Sequence, residues 1–266
     1  MSNAYLLDTE TTDKREGEII EACTILLLNA DDLFGDGDDI RLPLMLTGAN
    51  LERFKPGKPI TTGAMAVHHI LPHELEGCRP SSEFAVPADC KYVIGHSVDF
   101  DWEAAGRPDV KRIDTHAMAQ WVYPDAGGYS LSALIYLICG ATVETRALLK
   151  DAHSAYHDCR LAAILLADIL RLRPEITTWS ALWQFSEECR IPRTCPMKKY
   201  EGVPLTDLDD GFIDWCLRQD FIDPYYRKGL ERVMADRYGR ADDFEDDEAP
   251  GDSERDDEEE SEDVPF

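Results

Sequence analysis

The 266-residue sequence is short of several things, and each shortage excludes a class of protein. No apolar run approaches the ~20 residues that span a bilayer, and the N-terminus lacks the basic-then-apolar layout of a secretory signal. A soluble cytoplasmic protein with no membrane partner is therefore expected. There is no C-x-x-C pair among the eight cysteines, which are scattered from Cys23 to Cys216, several within apolar runs. They read as reduced core thiols rather than disulfides or a zinc site. Positive charge is scarce as well: 27 Lys and Arg stand against 53 Asp and Glu, a net charge of −26. From Ala241 to Phe266 there are 15 acidic residues against the single Arg255, a net of −14, which leaves −12 on the first 240 residues. A body that acidic does not grip long duplex DNA through many phosphate contacts. If nucleic acid is its substrate, the contact has to be local, metal-mediated and short.

What the chain does have is 44% hydrophobic residues, enough for one domain of moderate size plus an appendage. Ala4 to Glu10 reads as a buried strand, Glu18 to Leu28 as a second, and Ile40 to Leu46 as a third, with Pro43 marking an edge. Thr61 to His68 and Pro72 to Gly77 read as short helices. Cys90 to Ile94 is another strand, and helices are expected from Asp101, after Ile113-Asp114-Thr115, and over Ser130 to Cys139. Ala155 to Leu172 carries the clearest apolar stripe, through Leu161, Ile164, Leu165, Ile169 and Leu172. Early strands followed by strands alternating with helices predict an α/β protein with a mixed sheet flanked by helices. That domain is expected over residues 1–174. A helical module over 175–239 follows, then a disordered acidic tail over 240–266, where polar residues exclude a core.

The chemistry starts at Leu7-Asp8-Thr9-Glu10. Strand side chains alternate with period two, so Asp8 and Glu10 leave one face together. Two carboxylates ~4 Å apart repel by about 4 kcal/mol at a surface-like dielectric, a cost that a hard divalent cation such as Mg²⁺ or Mn²⁺ removes. Gly95-His96-Ser97-Val98-Asp99-Phe100-Asp101 follows a strand, where α/β sheets place ligand-binding groups. Asp158 lies in the first turn of the late helix, five residues after His153. Five helical residues rotate by about 140°. The two therefore share a face only if His153 belongs to the loop, with Ser154 as N-cap.

The set Asp8, Glu10, Asp101, His153 and Asp158 resembles the acidic constellation of the DEDDh 3′→5′ exonucleases. Within that group the sequence is most similar to the exonuclease X family. Ala64-Met65-Ala66-Val67-His68-His69-Ile70, Asp158-Cys159 and Lys199-Tyr200-Glu201-Gly202 carry the rest of the likeness. The appendage departs from the pattern at Met197-Lys198, and Ser97 replaces the common Asn. Asp99 competes with Asp101, which the His-x-x-x-Phe-Asp frame favours. The resemblance implies an RNase H-like fold and two Mg²⁺ or Mn²⁺ ions per site. It implies that Asp8 bridges them, Glu10 and Asp158 serve one and Asp101 the other, with His153 as general base. It also implies a substrate of DNA 3′ ends, single-stranded or frayed. Thr9, Thr11, Met65 and His68 are candidate contacts of the terminal nucleotide, with packing or capping as the competing roles. Trp179, Trp183 and Trp215 are candidate base-stacking groups, and Arg190, Arg193, Lys198 and Lys199 a candidate backbone-tracking patch. A 3′ exoribonuclease with the same site is the alternative.

The chain ends Asp263-Val264-Pro265-Phe266 after an acidic run, similar to the tip of bacterial single-stranded-DNA-binding protein. Proteins that read that tip do so through an apolar pocket and basic residues. The tail then either docks this chain on such proteins, competes for them, or folds back on the basic patch. A decoy acting through the tail alone is the rival from another class. Both resemblances imply a bacterial or phage origin.

Overall fold

The computed structural model describes residues 3–29, 38–150 and 154–239. They form two compact units, one running to Ile191 and one from Pro192. In the first, β1 (Asn3–Thr11), β2 (Ile19–Asn29), β3 (Leu44–Arg53), β4 (Cys90–Gly95) and β5 (Lys111–Asp114) make one mixed sheet in the order β3-β2-β1-β4-β5. The pairs β1–β2 and β2–β3 are antiparallel, while β1–β4 and β4–β5 are parallel. The helices are α1 (Thr62–His68), α2 (Asp99–Ala104), α3 (Thr115–Val122), α4 (Leu131–Cys139), α5 (Val143–Leu148), α6 (Ala155–Leu172) and α7 (Trp179–Cys189). This is the RNase H-like α/β architecture. No helix among the described residues is long and apolar enough to cross a membrane.

The central strand is β1. Ala4, Leu6 and Leu7 are buried on its two faces, so its opening residues read as a continuous apolar run rather than an alternation. Helix α6 lies on one face, its small residues Ala155, Cys159 and Ala162 buried in the same cluster as Leu6, Cys23 and Ile25. The Cys159 thiol reaches the Cys23 carbonyl at 3.7 Å, which fixes how closely the helix approaches β2. The β1–β4 ladder stops at Leu6–Ile94, while β1 continues beside β2 to Thr11. Beyond that stop the sheet opens on one side, at the carboxyl end of parallel strands, where α/β folds place their sites. The close approach there needs Gly95, because a Cβ would sit 2.9 Å from the Leu7 carbonyl and 3.1 Å from Val98 Cγ2.

Several boundaries differ from the sequence reading. The third strand is Leu44–Arg53, not Ile40–Leu46. It is an edge strand with most of its residues exposed, so its polar composition hid it. Pro72–Leu75 forms only a 3₁₀ turn, and α2 starts at Asp99. The unexpected α5 is opened by Thr142, whose hydroxyl accepts from Thr145 N. The first unit also extends past residue 174 to Ile191, because α7 buries Trp179, Leu182 and Cys189 in the main core. Trp179 packs against Tyr92, and Trp183 carries Lys111 over its ring at 4.0 Å, so neither is a free stacking platform. All eight cysteines are free thiols.

The second unit has its own small core. Leu205, Leu208, Phe212, Ile213, Cys216, Tyr226 and Leu230 pack between α8 (Asp210–Leu217) and α9 (Pro224–Tyr238). Asp209 and Asp223 cap these helices by accepting from Phe212 N and from Tyr225 and Tyr226 N. The acidic tail, with Asp263, Val264, Pro265 and Phe266, lies outside the described residues.

Candidate active site

Asp8 and Glu10 leave β1 on the face that α6 covers, and Asp158 meets them from the first turn of that helix. One oxygen from each of Asp8, Glu10 and Asp158 falls within 4.8 Å of the others. Asp101 stands outside that trio but beside it: after burial, its charge is the largest influence raising the pKa of Asp8. Asp158 and Glu10 add to the same effect. Glu10 is pushed up to about 8 by burial first, then by Asp158, Glu21 and Asp101. Asp101 is pushed up to about 7 by burial, against the opposing effect of hydrogen bonds from Thr9. Asp8 and the acids that raise it in this way form an all-oxygen donor set, with oxygens of Asp8, Glu10 and Asp158 gathered within 4.8 Å of one another. That set fits a hard divalent ion, whose charge removes the repulsion that folding brings about.

The two aspartates of the second segment differ in their partners. Asp99 accepts from Arg112 Nη1 at 2.7 Å and from Arg190 Nη1 at 2.9 Å. Arg190, expected in a DNA-tracking patch, is instead buried in this pair, with 4% of its side chain exposed. Among the described residues, no arginine or lysine lies within ion-pair distance of Asp101. Its Oδ1 accepts from the backbone N–H and the hydroxyl of Thr9, each at 2.7 Å. Because β4 has already left the ladder, the Thr9 amide is free to donate to a side chain instead of a strand.

Helix α6 is anchored by a residue that sequence reasoning did not single out. Ser154 is its N-cap, but the serine side chain makes no capping bond. Glu21, opposite Glu10 on β2, accepts from Ala155 N at 3.3 Å through one oxygen and from Arg53 Nε at 2.9 Å through the other. The signal present in the sequence is a charged residue in the middle of Ile19-Ile20-Glu21-Ala22-Cys23; in the fold it is 4% exposed.

The remaining expected residues are placed as follows. The Thr9 hydroxyl holds Asp101, and the Thr11 hydroxyl donates to the Asp13 carbonyl at 2.7 Å and closes the β1–β2 turn. His68 is buried and its Nδ1 accepts from Ile70 N, which ends α1. Met65 packs on Ile20, Ile60, Ala64, Ile70 and Leu75 and stays half-buried. His96 is held between the Tyr129 carbonyl at 2.8 Å and Thr115, a packing role. His157, the neighbour of Asp158, is buried. His153 lies outside the described residues.

No family model and no curated protein matches the sequence. Among solved structures, the fold is similar to that of Exonuclease X in complex with 5′ overhanging duplex DNA. That likeness has a TM-score of 0.52 and 24% identity, over 69% of this chain and 99% of the other. Two structures of E. coli Exonuclease I also match: a zinc-bound complex with single-stranded DNA (TM-score 0.49, 16% identity) and a complex with a dA16 oligonucleotide (TM-score 0.47, 14% identity). Those matches cover 70% of this chain and 42% and 43% of theirs. The likeness to Exonuclease X assigns this chain its fold.

Proposed function

We propose that the chain is a divalent-metal-dependent 3′→5′ exodeoxyribonuclease acting on single-stranded or frayed DNA ends. One observation carries the reading: Asp8, Glu10 and Asp158, from two separate segments, bring their oxygens within 4.8 Å, with Asp101 of a third segment beside them. The fold shared with Exonuclease X, whose structure was solved with DNA, supports it. Asp8, Glu10, Asp101 and Asp158 would hold the metal. When bound, a pair of Mg²⁺ or Mn²⁺ ions supplies charge neutralisation at the phosphate and the leaving oxygen and acidifies the attacking water. The rest falls to the chain itself. Thr9 fixes the Asp101 carboxylate, and Glu21 fixes the start of α6. His153 is the general base, an imidazole whose ordinary pKa lies near neutrality. Water oxygen bonds to the terminal phosphorus as its proton passes to His153. The bond from phosphorus to the O3′ of the preceding nucleotide breaks, that oxygen takes a proton from solvent water to become the new 3′-hydroxyl, and a nucleoside 5′-monophosphate leaves.

The test is digestion of 5′-labelled DNA and RNA oligomers, with free and blocked 3′ ends, with Mg²⁺ and with chelator. A ladder shortening from free 3′ ends of DNA, metal-dependent and releasing 5′-mononucleotides, is expected. Faster digestion of the RNA arm would replace the substrate, and cleavage of 3′-blocked strands would remove the exonuclease reading. For the tail, we infer that Asp263, Val264, Pro265 and Phe266 bind proteins that read such acidic tips. Deletion of Phe266 without loss of affinity for such a protein would reject this.

A further inference from the structure

The first unit carries a second region with unused charge, next to the carboxylates but separate from them. Its acid excess leaves most arginines with a carboxylate partner: Arg53 with Glu21 and Glu74, Arg79 with Glu52, Arg112 and Arg190 with Asp99. Among the described residues of this unit, exposed cations with no carboxylate within ion-pair distance are Lys91, Arg146, Lys150 and Arg160, scattered over the surface, and Lys14, Arg15, Lys55 and Lys58. The last four are the ones gathered together: they line one trough.

Three cavities adjoin to form it. A cavity of about 440 Å³ lies between the β1–β2 turn, with Lys14 and Arg15, and the α2 residues Phe100, Glu103 and Ala104. It shares Gly17 and Ala104 with a cavity of about 470 Å³ that reaches Lys55. The latter shares Lys55 and Pro56 with one of about 520 Å³ that reaches Lys58. The walls belong to elements that also build the carboxylate cluster. The turn follows directly from Glu10 and Thr11, and α2 carries Asp101 on its buried side. Two of the trough's own acids are already engaged. Glu18 accepts from Gly57 N and from Lys58 N, and Glu103 pairs with Arg107 at 2.9 Å. Lys58 Nζ donates to the Glu16 carbonyl, which holds that ammonium over the groove. Glu16 and Glu76 remain as acids in the lining.

From this we infer that the trough running past Lys14, Arg15, Lys55 and Lys58 binds the phosphodiester backbone of a nucleic-acid strand whose end occupies the carboxylate cluster. The inference deepens the nuclease reading and rests on it for the choice of ligand. Its physical basis is separate: a line of uncompensated cations in an acidic body releases counterions when a polyanion replaces them. It also shows how an acidic protein holds a polyanion, by confining attraction to one groove while the rest of the surface repels.

The test uses the full chain and a fluorescein-labelled single-stranded DNA oligomer in chelator, so that cleavage does not intrude. Anisotropy gives Kd across a salt series for wild type and for the doubles Lys14→Gln/Arg15→Gln and Lys55→Gln/Lys58→Gln. Arg146→Gln/Arg171→Gln, on exposed parts of α5 and α6, is the control of equal charge. Each trough double is expected to lower the slope of log K against log salt by about 1.4, at ~0.7 per lost contact on a single strand, and to weaken binding at low salt at least about tenfold. Melting temperatures check that the doubles stay folded. Unchanged slopes in the trough doubles would overturn the inference, and so would an equal loss in the control, which would reduce it to net charge. Failure of the nuclease reading has a different signature. The wild type would then bind with the full salt slope yet release no nucleotide when Mg²⁺ is added.

Discussion

Asp99 and Asp101 lie two residues apart at the start of one short helix, and the protein treats them oppositely. Asp99 is 45% exposed in its side chain and receives two guanidinium groups. Asp101 is buried, receives the amide and hydroxyl of Thr9, and faces a cluster of other acids. A carboxylate whose purpose is structural is given its counter-ion by the fold. Asp101, like Asp8 and Glu10, has no lysine or arginine within ion-pair distance among the described residues, and in the proposed reading a bound ion would be its counter-charge. The acids worth testing are these, and composition alone does not separate the two kinds.

The largest effect should come from Asp8, buried at the centre of the repulsion. Asp8→Asn is expected to lower metal-dependent DNA hydrolysis by about 10³-fold or more, since several kcal/mol of charge stabilisation depend on the ions it would hold. The same change should make the metal-free protein more stable, because it removes a buried carboxyl whose ionisation burial and the neighbouring acids oppose. Activity lost together with a lower melting temperature would point to plain misfolding and break the comparison. Next comes the pair itself. Asp101→Asn should cost activity about 10²-fold with little change in stability. Asp99→Asn should keep activity within a few-fold yet lose about 1–2 kcal/mol, a buried-pair loss reduced because Asp99 is half exposed. If the two variants swap these signatures, the assignment of Asp101 is wrong.

A third consequence is in pH. Glu10 and Asp101 have folded pKa values above their unfolded ones, about 8 and about 7 against 4.5 and 3.8. The folded state therefore holds more protons than the unfolded state between those limits, and stability falls as pH rises through them. Metal-free melting temperature should decline from about pH 5 to pH 8, and Mg²⁺ should restore it most at the alkaline end, because the ion displaces those protons. A metal-free curve that is flat over this range would show that the cluster does not repel as described.

Much of the site is legible from residues alone because its logic is local. Asp8 and Glu10 share a face through strand periodicity, and Asp158 sits in a first turn that Pro174 and the apolar stripe of α6 delimit. The strands β1, β2 and β4 follow from apolar runs ending at turn residues. What was not legible depends on partners distant in sequence. Glu21 anchors Ala155 across 134 positions, and Thr9 holds Asp101 across 92. The strand β3 lies beyond its expected place because its middle, Thr47-Gly48-Ala49-Asn50, is exposed and reads as a turn. Pro174 looks like a break in the sequence, whereas the buried face of α7 joins the main core.

The smallest and most discriminating change is Thr9→Val. Valine keeps the shape, the strand preference and the backbone N–H that donates to Asp101, and removes only the hydroxyl bond at 2.7 Å. A hydrogen bond to a charged acceptor contributes about 1.5–3 kcal/mol, but the surviving amide bond and a bound ion compensate in part, so the expected loss in kcat is about three- to tenfold. Because the hydroxyl opposes the upward push of burial on Asp101, its removal should move the metal-free titration of Asp101 higher still, above about 7. Thr9→Ser, which restores a donor without the methyl group, should return both quantities toward wild type. A Thr9→Val protein with wild-type kcat and an unmoved Asp101 titration would mean that the amide alone positions the carboxylate. The hydroxyl would then be a packing feature, and Asp101 would differ from Asp99 only in what it lacks.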